Sequence, residues 1–130
     1  EELRDRHAAC ARVEVALLAA TTPGRTLSEI FRVAREAYAA EGYPDEWQRH
    51  HQGGPTGYGA RDVKVVPDSP GAVQLHQAFA WNPSIAGTKC EDTVLVTAAG
   101  IEVLSPTPDL PTIEVTAADI TYQRPAILER

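Results

Sequence analysis

Apolar residues recur at helical spacing along the first part of the chain. Leu3, Cys10, Val13 and Leu17 follow one another at intervals of seven, three and four residues. Such intervals place side chains on one face of an α-helix. The charged residues of this stretch fall on other faces: Arg4, Asp5, Arg12 and Glu14. The pattern therefore predicts an amphipathic helix over residues 1–20.

A second helix is predicted after Pro23 and Gly24, which break the first. Thr26 and Glu29 match the capping-box pattern, in which the two side chains bind free backbone amides at a helix start. Gly42 offers the left-handed conformation that commonly ends a helix, so we expect the helix to run to about residue 41. Its apolar face comprises Leu27, Ile30, Phe31, Ala34 and Tyr38.

Beyond residue 42 the pattern changes to short β-favouring runs bounded by Gly, Pro, Asn or Asp. Strands are predicted at residues 63–66, 78–81, 93–97, 101–104 and 112–115, with a hairpin turn at 98–100. Two helices followed by several antiparallel strands define an α+β fold. We therefore expect two N-terminal helices packed on one face of a curved, mainly antiparallel sheet.

Composition and charge indicate a folded domain and argue against two classes of partner. Hydrophobic residues make up 43% and charged residues 23% of the 130-residue chain, which is close to the average for globular proteins and fits one domain. The net charge of −6 offers no basic surface to nucleic acid or to an anionic membrane. No apolar run reaches the roughly 18 residues that span a bilayer. We expect neither nucleic acid nor membrane as a partner, and a cytoplasmic location.

The start of the chain and its cysteines add two expectations. The sequence contains no Met and opens on Glu1, so we interpret it as a fragment. Cys10 and Cys90 lie far apart without metal-ligand spacing, and we expect them to be reduced, partly buried thiols.

Three short motifs carry a resemblance to a known family. Residues 51–58 read His-Gln-Gly-Gly-Pro-Thr-Gly-Tyr, residues 79–84 read Phe-Ala-Trp-Asn-Pro-Ser, and residues 90–97 read Cys-Glu-Asp-Thr-Val-Leu-Val-Thr. In this order, after two helices joined by Pro-Gly, the motifs resemble the C-terminal half of the pita-bread domain of methionine aminopeptidase, Xaa-Pro aminopeptidase, prolidase and creatinase. The resemblance covers nearly the whole chain. It implies a pita-bread half-domain that forms a single domain over residues 1–130.

The resemblance also implies a metal site, of which this sequence keeps only part. Members of the family hold two metal ions with two Asp, one His and two Glu. His51 falls on the position of the metal-binding His and Glu91 on that of the bridging Glu, whereas Asn82 stands where the other Glu is expected. The two Asp belong to strands that precede the first helix, and this sequence has no such strands. One His and one Glu cannot replace the hydration shell of two hard cations, so we expect Mn²⁺, Co²⁺ or Zn²⁺ to bind weakly or not at all.

Four side chains are candidates for contact with a substrate. Tyr58 occupies the place of the family's catalytic His and can donate a hydrogen bond to a carbonyl. In metal-free relatives of the creatinase type, His51 would act as a general base. Asn82 and His50 are candidate substrate-binding residues. The alternative for Tyr58 is a buried side chain with a satisfied hydroxyl, and the alternative for His50 and His51 is a structural role with hydrogen-bonded rings. Adjacent residues on a strand face opposite sides, so only one of the two histidines should face the cavity.

The sequence also predicts the direction and exposure of the charged residues in two segments. Glu91 and Asp92 precede an apolar strand, so one should point inward and the other outward. Arg61, Asp62 and Lys64 are expected to form a solvated strand edge.

The resemblance implies a peptidase-like hydrolase of the Xaa-Pro aminopeptidase or dipeptidase type with a degenerate or incomplete metal site, acting on a peptide or small molecule. The alternative is a non-catalytic pita-bread module that acts in binding or dimerisation. A half-domain leaves a strand edge and an apolar patch uncovered, which favours association. We therefore expect a homodimer or a bound N-terminal segment, with residues 63–66 or 93–97 near the contact.

Overall fold

The computed structural model describes residues 1–129 as two helices packed against antiparallel strands. Helices α1 (Glu2–Ala20) and α2 (Leu27–Ala40) and a 3₁₀ turn (Glu46–Gln48) precede the strands β1 (Gly53–Thr56), β2 (Ala78–Trp81), β3 (Ser84–Ile85), β4 (Thr88–Lys89), β5 (Asp92–Thr97), β6 (Gly100–Val103), β7 (Thr112–Ala117) and β8 (Ile120–Pro125). One antiparallel sheet has the order β1-β2-β5-β6, while β3–β4 and β7–β8 form two separate hairpins. The predicted α+β architecture is confirmed.

Helix α2 begins and ends where the sequence predicts. Thr26 Oγ1 accepts the N–H of Glu29 at 3.3 Å, and Glu29 Oε2 accepts the N–H of Thr26 at 2.9 Å. Gly42 follows the helix with a φ of 87°. Its buried residues are the five of the predicted apolar face.

Helix α1 differs from its prediction because it is buried on most of its circumference. It packs against α2, against strands β2 to β4 and against the β7–β8 hairpin. Cys10, Val13 and Leu17 are buried as predicted, whereas Leu3 is 47% exposed. Placing Glu14 on a solvent-facing side is wrong, because its side chain is fully buried and meets a cation from β8.

Alternate residues of β2 and β5 form the core beneath the helices. Phe79 and Trp81 stack at 5.5 Å, and Trp81 Nε1 donates to Thr21 Oγ1 at the end of α1 at 2.8 Å. Val94 and Val96 of β5 are buried on the same side. Since side chains alternate along a strand, the neighbouring positions face away from the helices. We call this side the open face; Ala80 and Asn82 on it are buried, Thr93 and Leu95 are half-buried, and Glu91 is exposed.

Residues 63–66 are not a strand, which corrects the prediction. They run beside the outer edge of β1, held by the bonds Asp62 N–H to Pro55 O and Val65 N–H to Gly53 O, both 2.9 Å. Two bonds to an irregular neighbour do not make a regular ladder. The predicted strands 78–81, 93–97, 101–104 and 112–115 correspond to β2, β5, β6 and β7. Residues 93–97 lie inside the sheet, paired with β2 and β6.

None of the helices among residues 1–129 is long and apolar enough to cross a membrane.

Candidate functional site

The three sequence motifs meet at one end of the open face. The register pairs Trp81 with Asp92, and the N–H of Cys90 donates to Pro83 O at 3.2 Å. Asn82 and Glu91 lie opposite each other between these two pairings. The N–H of Asn82 donates to Gln52 O at 2.9 Å, which holds the residue after His51 beside them. The fold therefore places the backbone segments that carry His51, Asn82 and Glu91 side by side, although their motifs are separated along the chain.

Glu91 and Asp92 point in opposite directions, as predicted. Asp92 turns towards the helices, where its Oδ2 accepts from Arg124 at 2.5 Å. The Glu91 side chain is 39% exposed on the open face, and its Oε1 accepts from Arg61 Nη2 at 2.5 Å. Lys89 Nζ lies 3.9 Å from the other carboxylate oxygen of Glu91.

Arg61 belongs to this site and not to a solvated strand edge, which corrects the prediction. Its side chain is only 13% exposed. The turn after β1 brings the chain back along that strand, so Arg61 is directed towards Glu91. Its Nη1 donates to Ala60 O at 2.6 Å, and its Nε is buried without a hydrogen-bond partner in the described part of the chain.

The two adjacent histidines lie on the same side of the chain. Their rings stack with centroids 4.4 Å apart and planes 28° from parallel. The expectation that they face opposite sides is wrong, because residues 50 and 51 precede β1 and do not form a strand. His50 Nδ1 lies 2.6 Å from the carbonyl oxygen of His51.

The backbone fixes the tautomer of His51. Its Nδ1 accepts the N–H of Gly53 at 3.1 Å, so the ring proton of the neutral imidazole lies on Nε2. Burial lowers the pKa of His51, and the positive charges of His50, Lys64, Arg61 and Lys89 lower it further. His51 therefore presents a neutral ring with an N–H at Nε2.

Asn82 and Tyr58 occupy contrasting environments. Asn82 is 3% exposed, and its Oδ1 has no hydrogen-bond partner among residues 1–129. The side chain of Tyr58 is fully exposed, on a bend at residues 57–60. The alternative of a buried Tyr58 is therefore wrong. The substrate-binding role of Asn82 and His50 and the catalytic roles of Tyr58 and His51 stay predictions.

The donor set does not fit a two-metal centre. Over residues 1–129 no group of three or more His, Cys, Asp and Glu side chains is arranged to hold a metal ion. His51 offers an N–H where a metal needs a lone pair, Asn82 is uncharged, and Glu91 already binds a guanidinium. A hard divalent cation needs several anionic oxygens.

A buried ionic network behind the site was not foreseen from the sequence. Arg124 of β8 donates from Nε and Nη2 to the two carboxylate oxygens of Glu14, both at 2.8 Å, and from Nη2 to Asp92. The other Asp92 oxygen accepts from Ser105 Oγ at 2.6 Å. The one local signal was Glu14 between two valines, an acid within an apolar run.

The two cysteines are free and buried, as predicted. Cys10 Sγ donates to Pro83 O at 3.1 Å. A hydrogen bond with Cys10, together with burial, raises the pKa of the Cys90 thiol. Neither thiol has the environment of a reactive nucleophile.

Solved structures of peptidases share this fold. Dipeptidase PepE from Mycobacterium ulcerans superposes with a TM-score of 0.69 at 22% identity over 82% of this chain and 30% of that one. Prolidase from Pyrococcus furiosus superposes with a TM-score of 0.69 at 23% identity, over 82% of this chain and 33% of the prolidase chain. X-Pro aminopeptidase from Thermotoga maritima MSB8 superposes with a TM-score of 0.70 at 20% identity, over 83% of this chain and 32% of the aminopeptidase chain. The chain thus has the fold of part of these enzymes and spans about a third of their length.

Sequence comparison identifies the family. The model of metallopeptidase family M24 matches residues 1–98, which include the helices and the three motifs. The chain therefore belongs to metallopeptidase family M24, whose members are generally metal-dependent. No curated protein sequence matches it.

Proposed function

We propose that this chain forms the C-terminal part of the catalytic domain of a peptidase-like hydrolase of the Xaa-Pro aminopeptidase or dipeptidase type, with a degenerate metal site. The observation that supports the proposal is that the segments carrying His51, Asn82 and Glu91 lie side by side at one end of the open face in a chain of a peptidase family. The prolidase and X-Pro aminopeptidase among the similar structures suggest a short peptide as the substrate.

The side chains at this end of the open face suit a ligand rich in hydrogen-bond acceptors. His51 presents its Nε2–H, and Arg61 has a buried Nε–H free for a further acceptor among the described residues. The buried amide of Asn82 adds a polar group without a partner. Peptide carbonyl and carboxylate oxygens are acceptors of this kind, and a donor held near a carbonyl stabilises the charge that develops there. In this proposal these side chains bind and orient the substrate, and Tyr58 donates from the exposed bend.

We expect Mn²⁺, Co²⁺ or Zn²⁺ to bind weakly. Glu91, the carboxylate of the open face, already pairs with a cation, and a neutral amide at Asn82 adds only a weak dipole. The free thiols Cys10 and Cys90 suit a reducing compartment, and we propose the cytoplasm as the location.

Hydrolysis of Xaa-Pro dipeptides tests the proposal, with the protein expressed from its complete reading frame and release of free proline as the measurement. We expect turnover that His51→Ala lowers at least about tenfold, because it removes a donor from the reacting carbonyl. The matched control Arg32→Ala, on the exposed side of α2, should keep full activity. An absence of turnover over a panel of Xaa-Pro dipeptides, with and without added Mn²⁺, would rule out the hydrolase.

A non-catalytic binding module is the second candidate, and one observation favours it. Glu91 is compensated by Arg61, so the carboxylate at the bridging position is not free to act on a water molecule. A binding module would bind Xaa-Pro dipeptides by calorimetry, with a dissociation constant that His51→Ala raises, and would release no proline.

A further inference from the structure

The charge of Glu91 is balanced by the chain itself. Arg61 Nη2 binds one carboxylate oxygen at 2.5 Å, and Lys89 Nζ lies 3.9 Å from the other. Charge-assisted bonds from a guanidinium to a carboxylate are among the strong hydrogen bonds of proteins. The carboxylate at the bridging-ligand position thus carries a cation of its own.

The backbone around Arg61 holds it in this position. Residues 62–65 lie against β1 through the bonds of Asp62 to Pro55 and of Val65 to Gly53. This close approach requires Gly54, where a Cβ would clash with Val63 O. The Arg61 side chain that emerges is mostly buried, so its pairing with Glu91 is a fixed part of the fold.

The surroundings of the pair are positive. Lys64 and Lys89 accompany Arg61 near His51, and of these three cations Arg61 and Lys89 pair with Glu91. A divalent cation entering here would have to displace a buried guanidinium and would meet like charges at short range. The negative charge of Glu91 is therefore already balanced by a cation, as it would be by a bound metal ion.

We propose that Arg61 takes the place of the divalent metal in this chain: its guanidinium is the resident cation of Glu91, and the site works without a metal ion. The inference goes beyond the proposed function, because it holds equally for a hydrolase and for a binding module.

The experiment measures metal affinity in the protein expressed from its complete reading frame. Wild type, Arg61→Gln, Arg61→Lys and the exposed control Arg32→Gln are treated with a chelator, dialysed and titrated with Mn²⁺ by calorimetry. Removing the guanidinium charge frees Glu91, so Arg61→Gln should bind Mn²⁺ at least about tenfold more tightly than wild type. Arg61→Lys keeps the charge and should match wild type, as should Arg32→Gln. An unchanged affinity in folded Arg61→Gln would overturn the inference.

A second measurement decides the matter if Arg61→Gln does not fold. Paramagnetic broadening by Mn²⁺ is recorded for the side-chain NMR signals of His51 and Glu91 in wild type. No selective broadening is expected at sub-stoichiometric Mn²⁺. Selective broadening of both signals, or one equivalent of metal retained after chelation, would overturn the inference.

Hydrolysis assayed in the presence of the chelator separates this inference from the proposed function. Turnover that persists with chelator supports both, while turnover that requires added metal supports the hydrolase and overturns the role of Arg61. If no turnover occurs, the hydrolase is ruled out and the Mn²⁺ titration alone decides the role of Arg61.

Discussion

The side chain of Arg124 joins two carboxylates inside the core. Arg124 and Glu14 are each 1% exposed and Asp92 is 8% exposed. Burial raises the pKa of Glu14 despite its contact with Arg124; burial alone would lower the pKa of Arg124, but the two carboxylates raise it. Buried charges are tolerated only when they are paired and hydrogen-bonded. Removing the cation should therefore cost more than removing a surface charge.

Arg124→Met should lower the free energy of unfolding by about 3–5 kcal/mol, because it leaves two carboxylates in the core without a counter-charge. Urea denaturation followed by circular dichroism measures the change. The control Arg32→Met removes an exposed partner of Glu36, with both side chains more than 60% exposed, and should change stability by less than about 0.5 kcal/mol. Adding Glu14→Gln to Arg124→Met should recover part of the loss. Equal effects of the two arginine substitutions would contradict this account.

Single residues also show how much of the site the sequence could predict. The adjacency of the segments that carry His51, Asn82 and Glu91 was implied by the order of the three motifs, and the opposite directions of Glu91 and Asp92 followed from strand alternation. The pairing of Arg61 with Glu91 did not, because it depends on how the chain returns after β1. No local pattern links Arg124 to Glu14 either, since the partners belong to different elements.

Among the elements, the helices and strands β2 and β5 were predictable because their signals are local. Capping residues, glycines and apolar runs occur where α2, β2 and β5 begin and end. Strand β1 was missed because its Gly53 and Gly54 have low β propensity and form a strand through tertiary contact. Residues 63–66 have the composition of a strand, but they lie beside β1 without a regular ladder.

Gly53→Ala tests the idea that β1 depends on close backbone approach. Gly53 has a φ of 90°, and a Cβ there would clash with the carbonyl oxygen of Ala80 on β2. We expect a loss of at least about 2 kcal/mol in the free energy of unfolding, because neither backbone can move away cheaply. The loss is measured by urea denaturation.

Gly42→Ala is the matched control for Gly53→Ala. Gly42 has a similar φ of 87° but open space around it, so its cost should be limited to about 1–2 kcal/mol of left-handed strain. A loss in Gly53→Ala no larger than in Gly42→Ala would show that the approach of β1 to β2 is not limiting.

At the scale of the whole molecule, the exposed apolar residues and the outer edges of the four-stranded sheet bear on association. The chain covers about a third of the length of the peptidases it resembles, 30–33% of each. Val63, Val66 and Leu104 are 40–48% exposed beside the two outer edges of the four-stranded sheet. Strand β6 pairs only with β5 within that sheet. Unpaired edges and exposed apolar residues favour association.

We expect the chain to form a homodimer or to hold a further segment of its own protein against these surfaces. A contact near residues 63–66 stays a prediction, whereas residues 93–97 could contribute only side chains, because their backbone is paired on both sides. Sedimentation at micromolar concentration should give a dimer or a complex, and Val63→Lys with Val66→Lys should shift it towards monomer. A stable wild-type monomer would disprove the association.

The position of Arg124 has a consequence for the order in which the chain folds. Its partner Glu14 lies 110 residues earlier. Helix α1 therefore leaves the ribosome long before Arg124, which balances the charge of Glu14, has been made. Contacts between such distant residues form slowly. Until β8 is made, docking of α1 would bury Glu14 either as an unpaired carboxylate or as a protonated acid, and both cost free energy. We therefore expect stable docking of α1 to follow the synthesis of β8.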